Sequence, residues 1–125
     1  MEYLGKHALV DIYLEHNSTA LTNPNIMMDI IEKAVLNENA TILTRHVSEF
    51  DGREEAAGGF TGMFVLSESH ASIHTWPEYG VATIDVYMCG ECDAFACIEN
   101  IVTYLKEQDY EPECNETKIC RGFYR

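Results

Sequence analysis

The residues from Leu66 to Gly80, LSESHASIHTWPEYG, gather three serines, two histidines, two glutamates and a tryptophan. Side chains of these types serve several chemistries. His70 and His74 are four apart, the spacing of a metal pair on a helix. Ile73, Thr75, Trp76 and Pro77 argue against a helix here, and on a strand positions four apart share a face but lie too far apart for an easy shared ion. A metal site is therefore not expected. A serine hydrolase would want a Gly-x-Ser-x-Gly elbow, which is absent. A second set follows at CGEC, Cys89 to Cys92, with Cys-x-x-Cys spacing just ahead of a helical pattern, where a thiol is readily activated. Cys114 and Cys120 do not complete the spacing of a usual zinc ribbon. Taken by residue type alone, this is a reactive cluster whose chemistry stays open.

Local patterns indicate what must position it. HALVDIYLE (His7 to Glu15) is rich in β-formers and partly alternates, as a strand does. HNSTALTNPN is expected to be loop. Asn23-Pro24 then resembles an N-cap with proline at the first helical position. Ile26, Met27, Ile30, Ile31, Ala34 and Val35 recur at helical spacing to about Asn37. Strands are expected at ATILTRHVSEF (Ala40 to Phe50), FTGMFVLS and VATIDVYM (Val81 to Met88), the last two flanking the reactive segment. DGREEAAGG is longer than a tight hairpin needs. Asp93 to Gln108 has a second amphipathic pattern, and ETKICRGFY suggests a final strand. The order β-α-β-β-β-α-β implies an α+β fold: a two-layer α/β sandwich, its sheet mostly antiparallel, with two helices on one face.

Length and composition fit one domain over residues 1–125. The net charge of −13 and pI near 4.5 exclude an electrostatic nucleic-acid binder and repel an anionic membrane, while favouring cationic small molecules. No export signal or membrane span is evident. With five cysteines, an odd count, reduced thiols in the cytoplasm are the expectation.

The segment SESHASIHTWPEYG, followed by DVYMCG, resembles the signature of the bacterial and archaeal S-adenosylmethionine decarboxylase proenzymes. LGKHALVDIY and ATILT upstream extend the similarity over most of the chain. The resemblance implies a pyruvoyl enzyme that cleaves itself between Glu68 and Ser69, giving chains 1–68 and 69–125. The Ser69 hydroxyl would attack the preceding carbonyl, and elimination would then leave a pyruvoyl group derived from Ser69 as covalent cofactor. That ketone would take the substrate amine as a Schiff base and accept the electrons released with carbon dioxide. By match to the family, His74 takes part in the proton transfers of processing, and Thr61 stands where relatives carry an assisting serine. Cys89 is the expected proton donor to the decarboxylated carbon, and a bond from Cys92 to it would remove that proton.

For the substrate, Glu78 matches the acid that holds the ribose hydroxyls. Phe50 and Trp76 match the aromatic rings around the adenine and sulfonium. Asp11 matches an acid of the first strand near the site. Taken without the resemblance, Trp76 would be a core anchor and Phe50 a strand-end plug. The implied function is decarboxylation of S-adenosylmethionine to the aminopropyl donor of polyamine synthesis, by a cytoplasmic homodimer with sites near its interface. Departures at HVSEF and DGREEAAGGF lie near the nucleoside pocket. They keep two alternatives in view: a pyruvoyl-dependent arginine or ornithine decarboxylase, and an unprocessed nucleoside-binding homologue.

Overall fold

The computed structural model describes residues 3–52 and 58–124. One antiparallel sheet of six strands is formed by β1 (Tyr3–Tyr13), β2 (Ile42–Glu49), β3 (Phe60–Leu66), β4 (Ser69–Trp76), β5 (Val81–Cys89) and β6 (Glu113–Phe123), in the order β2-β3-β4-β5-β1-β6. Three helices accompany it: α1 (Thr19–Thr22), α2 (Pro24–Asn37) and α3 (Ala94–Glu107). The two-layer α+β sandwich expected from the sequence is present, and every strand pairing is antiparallel.

Two details differ from expectation. The reactive segment is itself a full strand, β4, rather than a connection between strands. Its inward residues Ala71, Ile73 and Thr75 alternate with outward His70, Ser72, His74 and Trp76, a period of two that the small and polar side chains disguise. The expected loop after β1 contains the four-residue helix α1, which buries Ala20 and Leu21. It is too short to show a helical period.

The main helices begin where their caps direct. The Asn23 side chain accepts the Asn25 N–H, with Pro24 opening α2; Asp93 accepts the N–H groups of Phe95 and Ala96 at α3. Both helices turn their apolar stripe onto one sheet face. Met27, Met28, Ile30, Ile31, Ile98 and Ile101 meet Val10, Ile12, Phe60, Phe64, Ile73 and Ile84, all with 2 % exposure or less. Each such side chain contributes about 1.5–3 kcal/mol through removal from water. Arg45 of β2 reaches back to α2, 2.8 Å from both Asp29 and Glu32. Among the described residues no helix covers the other sheet face, and its residues (Leu9, Asp11, Met63, His74, Thr83, Asp85, Tyr87) are only half-buried.

Candidate functional site

At one end of the bare face, Ser67 and Glu68 form the two-residue turn between β3 and β4, with Leu66 paired to Ser69. Ser69 has φ 143°, a region that favours glycine and costs a serine about 1–3 kcal/mol unless the surroundings impose it. The surroundings here are specific. The Cys89 N–H donates to the Glu68 carbonyl oxygen at 3.0 Å, the Ser67 N–H donates to the Thr41 carbonyl at 3.0 Å, and the Thr41 N–H donates to Glu68 Oε1 at 2.8 Å. The carbonyl joined to Ser69 thus already has a backbone donor aimed at it, the provision that attack on that carbonyl requires as negative charge develops. A serine held off its ordinary backbone geometry beside a polarised carbonyl fits the origin of a pyruvoyl group. Cys89 ends β5 on the bare face, half-buried, and Cys92 is buried two residues after Gly90, whose φ of 67° makes the turn. Burial, then the negative charge of Glu68, pushes the Cys92 thiol up.

At the other end of the same face, Thr61 Oγ1 lies 3.0 Å from His74 Nδ1, a cross-strand pair set by the Thr61–His74 register. Both line a cleft of about 490 Å³ together with Phe50, Trp76 and Glu78. Trp76 is 40 % exposed and Phe50 57 % exposed. Neither is a core anchor or a plug; they stand as walls of the cleft. The Trp76 ring lies 6.3 Å from that of His74. Glu78 rides a 3-10 turn over Pro77–Tyr79 that closes on Gly80 at φ 69°. A side chain at Gly80 would meet the Leu14 carbonyl at 2.4 Å, so the turn is pinned against the end of β1. Gly58, Gly59, Thr75 and Tyr79 also line the cleft. Nothing in the sequence singled out Tyr79, and the Gly-Gly pair stood out only as the end of a long polar turn. The middle of the loop expected from DGREEAAGGF, residues 53–57, lies outside the described residues.

Asp11 is not among the cleft residues. It sits on β1 opposite Thr83, which is itself opposite His74, so it belongs to the same row of the bare face two strands away. Between the two ends, His7 Nε2 lies 3.3 Å from Asp85 Oδ1, and the Tyr87 ring lies between those of His7 and His70. His70 and His74 share the face, as four-apart strand residues do, with different ring neighbours. Within one chain, the expected residues therefore form two groups. Glu68, Ser69 and Cys89 stand at one end; Thr61, His74, Phe50, Trp76 and Glu78 stand at the other. Five residue steps along β4 separate Ser69 from His74, about 16 Å at the ordinary strand rise.

A small two-layer α+β sandwich with six antiparallel strands is the class that this fold defines. The chain superposes on the crystal structure of the adenosylmethionine decarboxylase from Aquifex aeolicus VF5 with a TM-score of 0.77 at 29 % identity, covering 100 % of this chain and 96 % of that one. The family model described as S-adenosylmethionine decarboxylase matches residues 6–116. Relatives named S-adenosylmethionine decarboxylase proenzyme include that of Aquifex aeolicus, 35 % identical over 93 % of this chain and 82 % of its own length. That of Clostridium botulinum strain Loch Maree is 32 % identical over 98 % and 97 %, and that of Pyrobaculum islandicum 38 % identical over 86 % and 83 %. The chain belongs to the S-adenosylmethionine decarboxylase family.

Proposed function

We propose that this protein is a proenzyme that cuts itself between Glu68 and Ser69 and then decarboxylates S-adenosylmethionine, yielding the aminopropyl donor for polyamine synthesis. The observation that carries the reading is Ser69 at φ 143° beside a Glu68 carbonyl that accepts the Cys89 N–H. In the first step the Ser69 Oγ bonds to the Glu68 carbonyl carbon, the C–N bond breaks, and the hydroxyl proton passes to the nitrogen. The Cys89 N–H holds the oxygen on which charge gathers. The pyruvoyl group that then derives from Ser69 supplies the electron sink that no ordinary side chain offers. Cys89 keeps its thiol proton until carbon dioxide has left and gives it to the carbon left behind. In the cleft, the two oxygens of Glu78 accept from a ribose diol, and Phe50 and Trp76 present ring faces to an adenine and a sulfonium.

The separation of the two groups along β4 supports a homodimer. A two-fold axis running across the strands, between two face-to-face sheets, would reverse β4 over the partner's β4. With the axis level with the Ala71–Ser72 bond, Ser69 of each chain would stand opposite the partner's His74 and cleft. The interface would cover the half-buried bare face, and each site would draw on both chains. Among the described residues no helix is long and apolar enough to cross a membrane, and the five cysteines are free, which supports work in the reducing cytoplasm.

The test is the mass of the purified protein and the gas it releases. Fragments 1–68 and 69–125, the latter with a blocked start, and labelled carbon dioxide from carboxyl-labelled S-adenosylmethionine are expected. Labelled gas from arginine or ornithine instead would move the assignment to those amino acids. An intact chain that releases no gas would leave only nucleoside binding. Ser69→Ala should give one uncut, inactive chain.

A further inference from the structure

Ser69 can hold φ 143° only if something opposes its relaxation. Turning φ back toward ordinary values rotates the Glu68–Ser69 peptide plane and swings the Glu68 oxygen off the Cys89 N–H. That bond, at 3.0 Å, resists on one side of the turn. On the other side residue 41, just ahead of β2, grips the turn twice. Its carbonyl takes the Ser67 N–H at 3.0 Å, and its N–H reaches the Glu68 carboxylate at 2.8 Å. The second grip is the only one of the three that runs through a side chain.

We propose that the Glu68 carboxylate is a positioning residue for self-cleavage: by accepting the Thr41 N–H it keeps the Glu68 carbonyl on its Cys89 donor while the Ser69 hydroxyl attacks. The inference rests on the self-cleaving function proposed above and adds a role for the side chain that precedes the cut. It carries no proton and touches no substrate. Its task is finished once the C–N bond is broken and the Ser69 oxygen is acylated. The corner between α2 and β2 thereby becomes part of the cleavage apparatus through the backbone of Thr41.

The requirement is for an acceptor of the right length rather than for charge. Newly synthesised full-length chain, followed by mass from uncut to fragments 1–68 and 69–125, reads it directly. Glu68→Gln should cleave within about twofold of the natural chain. Glu68→Ala, which loses the acceptor and its one hydrogen bond, should cleave about tenfold more slowly or worse. Hydroxylamine, which opens the ester formed by the acyl shift, should not speed the alanine variant, because the defect precedes the ester. Thermal melts of both variants on a Ser69→Ala background should match that of Ser69→Ala alone, which separates positioning from unfolding. Natural-rate cleavage by Glu68→Ala, equal slowing by both variants, or rescue by hydroxylamine would overturn the role and leave self-cleavage standing. A natural chain that never cleaves would instead remove self-cleavage itself, and this role with it.

Discussion

Ser69 and Cys89 illustrate what a residue type can and cannot announce. Both were singled out by their neighbours in the sequence, and the structure sets them at adjacent strand ends. The donor on the Glu68 carbonyl was not identifiable, because it is the Cys89 backbone N–H. Every residue but proline owns such a group, and only the register of β4 on β5 decides where it points. The thiols differ in the same local way. Burial pushes the Cys97 thiol up to about 12, with Glu38 and Asp93 adding to it, and Cys92 is raised for similar reasons. At pH 8 Cys97 is then thiolate in about one molecule in ten thousand, and the thiolate is the reactive form. Iodoacetamide on the uncut Ser69→Ala chain should therefore label exposed Cys120 well before Cys92 or Cys97, as peptide masses would report. Rapid labelling of Cys92 would instead make an oxidative bond to Cys89 credible.

At the scale of elements, one buried hydroxyl ties three of them together. Thr75 of β4, 6 % exposed, donates to the Leu21 carbonyl of α1 at 2.8 Å and accepts the Phe60 N–H of β3 at 2.9 Å. Thr75→Val keeps the shape and leaves both backbone groups unsatisfied. Each costs about 1–3 kcal/mol, so denaturant unfolding of the Ser69→Ala chain should show a loss of about 2 kcal/mol or more. No change would mean that water reaches both groups. The helix boundaries at Asn23-Pro24 and Asp93 were legible because caps act through nearest neighbours. β4 was less so, since its inward row is Ala71, Ile73 and Thr75 and its outward row is polar and aromatic. That pattern suits a sheet face intended for chemistry and hides the contrast by which strands are usually recognised. Helix α1 was illegible because two buried residues, Ala20 and Leu21, make no period.

For the whole molecule, the sandwich and its one-sided helices followed from element order, whereas the division of the site did not. Thr61 and His74, which the family match ties to the processing of Ser69, stand about 16 Å along the strand, a distance no sequence pattern encodes. If the partner's His74 serves each Ser69, two cleavage-defective variants should repair one another. Co-expression of Ser69→Ala with His74→Ala should yield fragments from the His74→Ala chain alone, since it keeps its own serine and meets an intact histidine across the interface. Absence of fragments in the mixed dimer would place both residues in one chain's site, whereas cleavage of His74→Ala expressed alone would remove His74 from the reaction.

The strand order has its own outcome. Strands β1 to β3 precede the bond after Glu68 and strands β4 to β6 follow it, yet β1 lies between β5 and β6. The two halves are laced through each other like the fingers of clasped hands. A severed chain would stay assembled, held by the ladders on both sides of β1, and the pieces should travel together through gel filtration until denaturant parts them. Losing one covalent link in the backbone would thus alter the chemistry at a single new terminus while the architecture around it goes on as before.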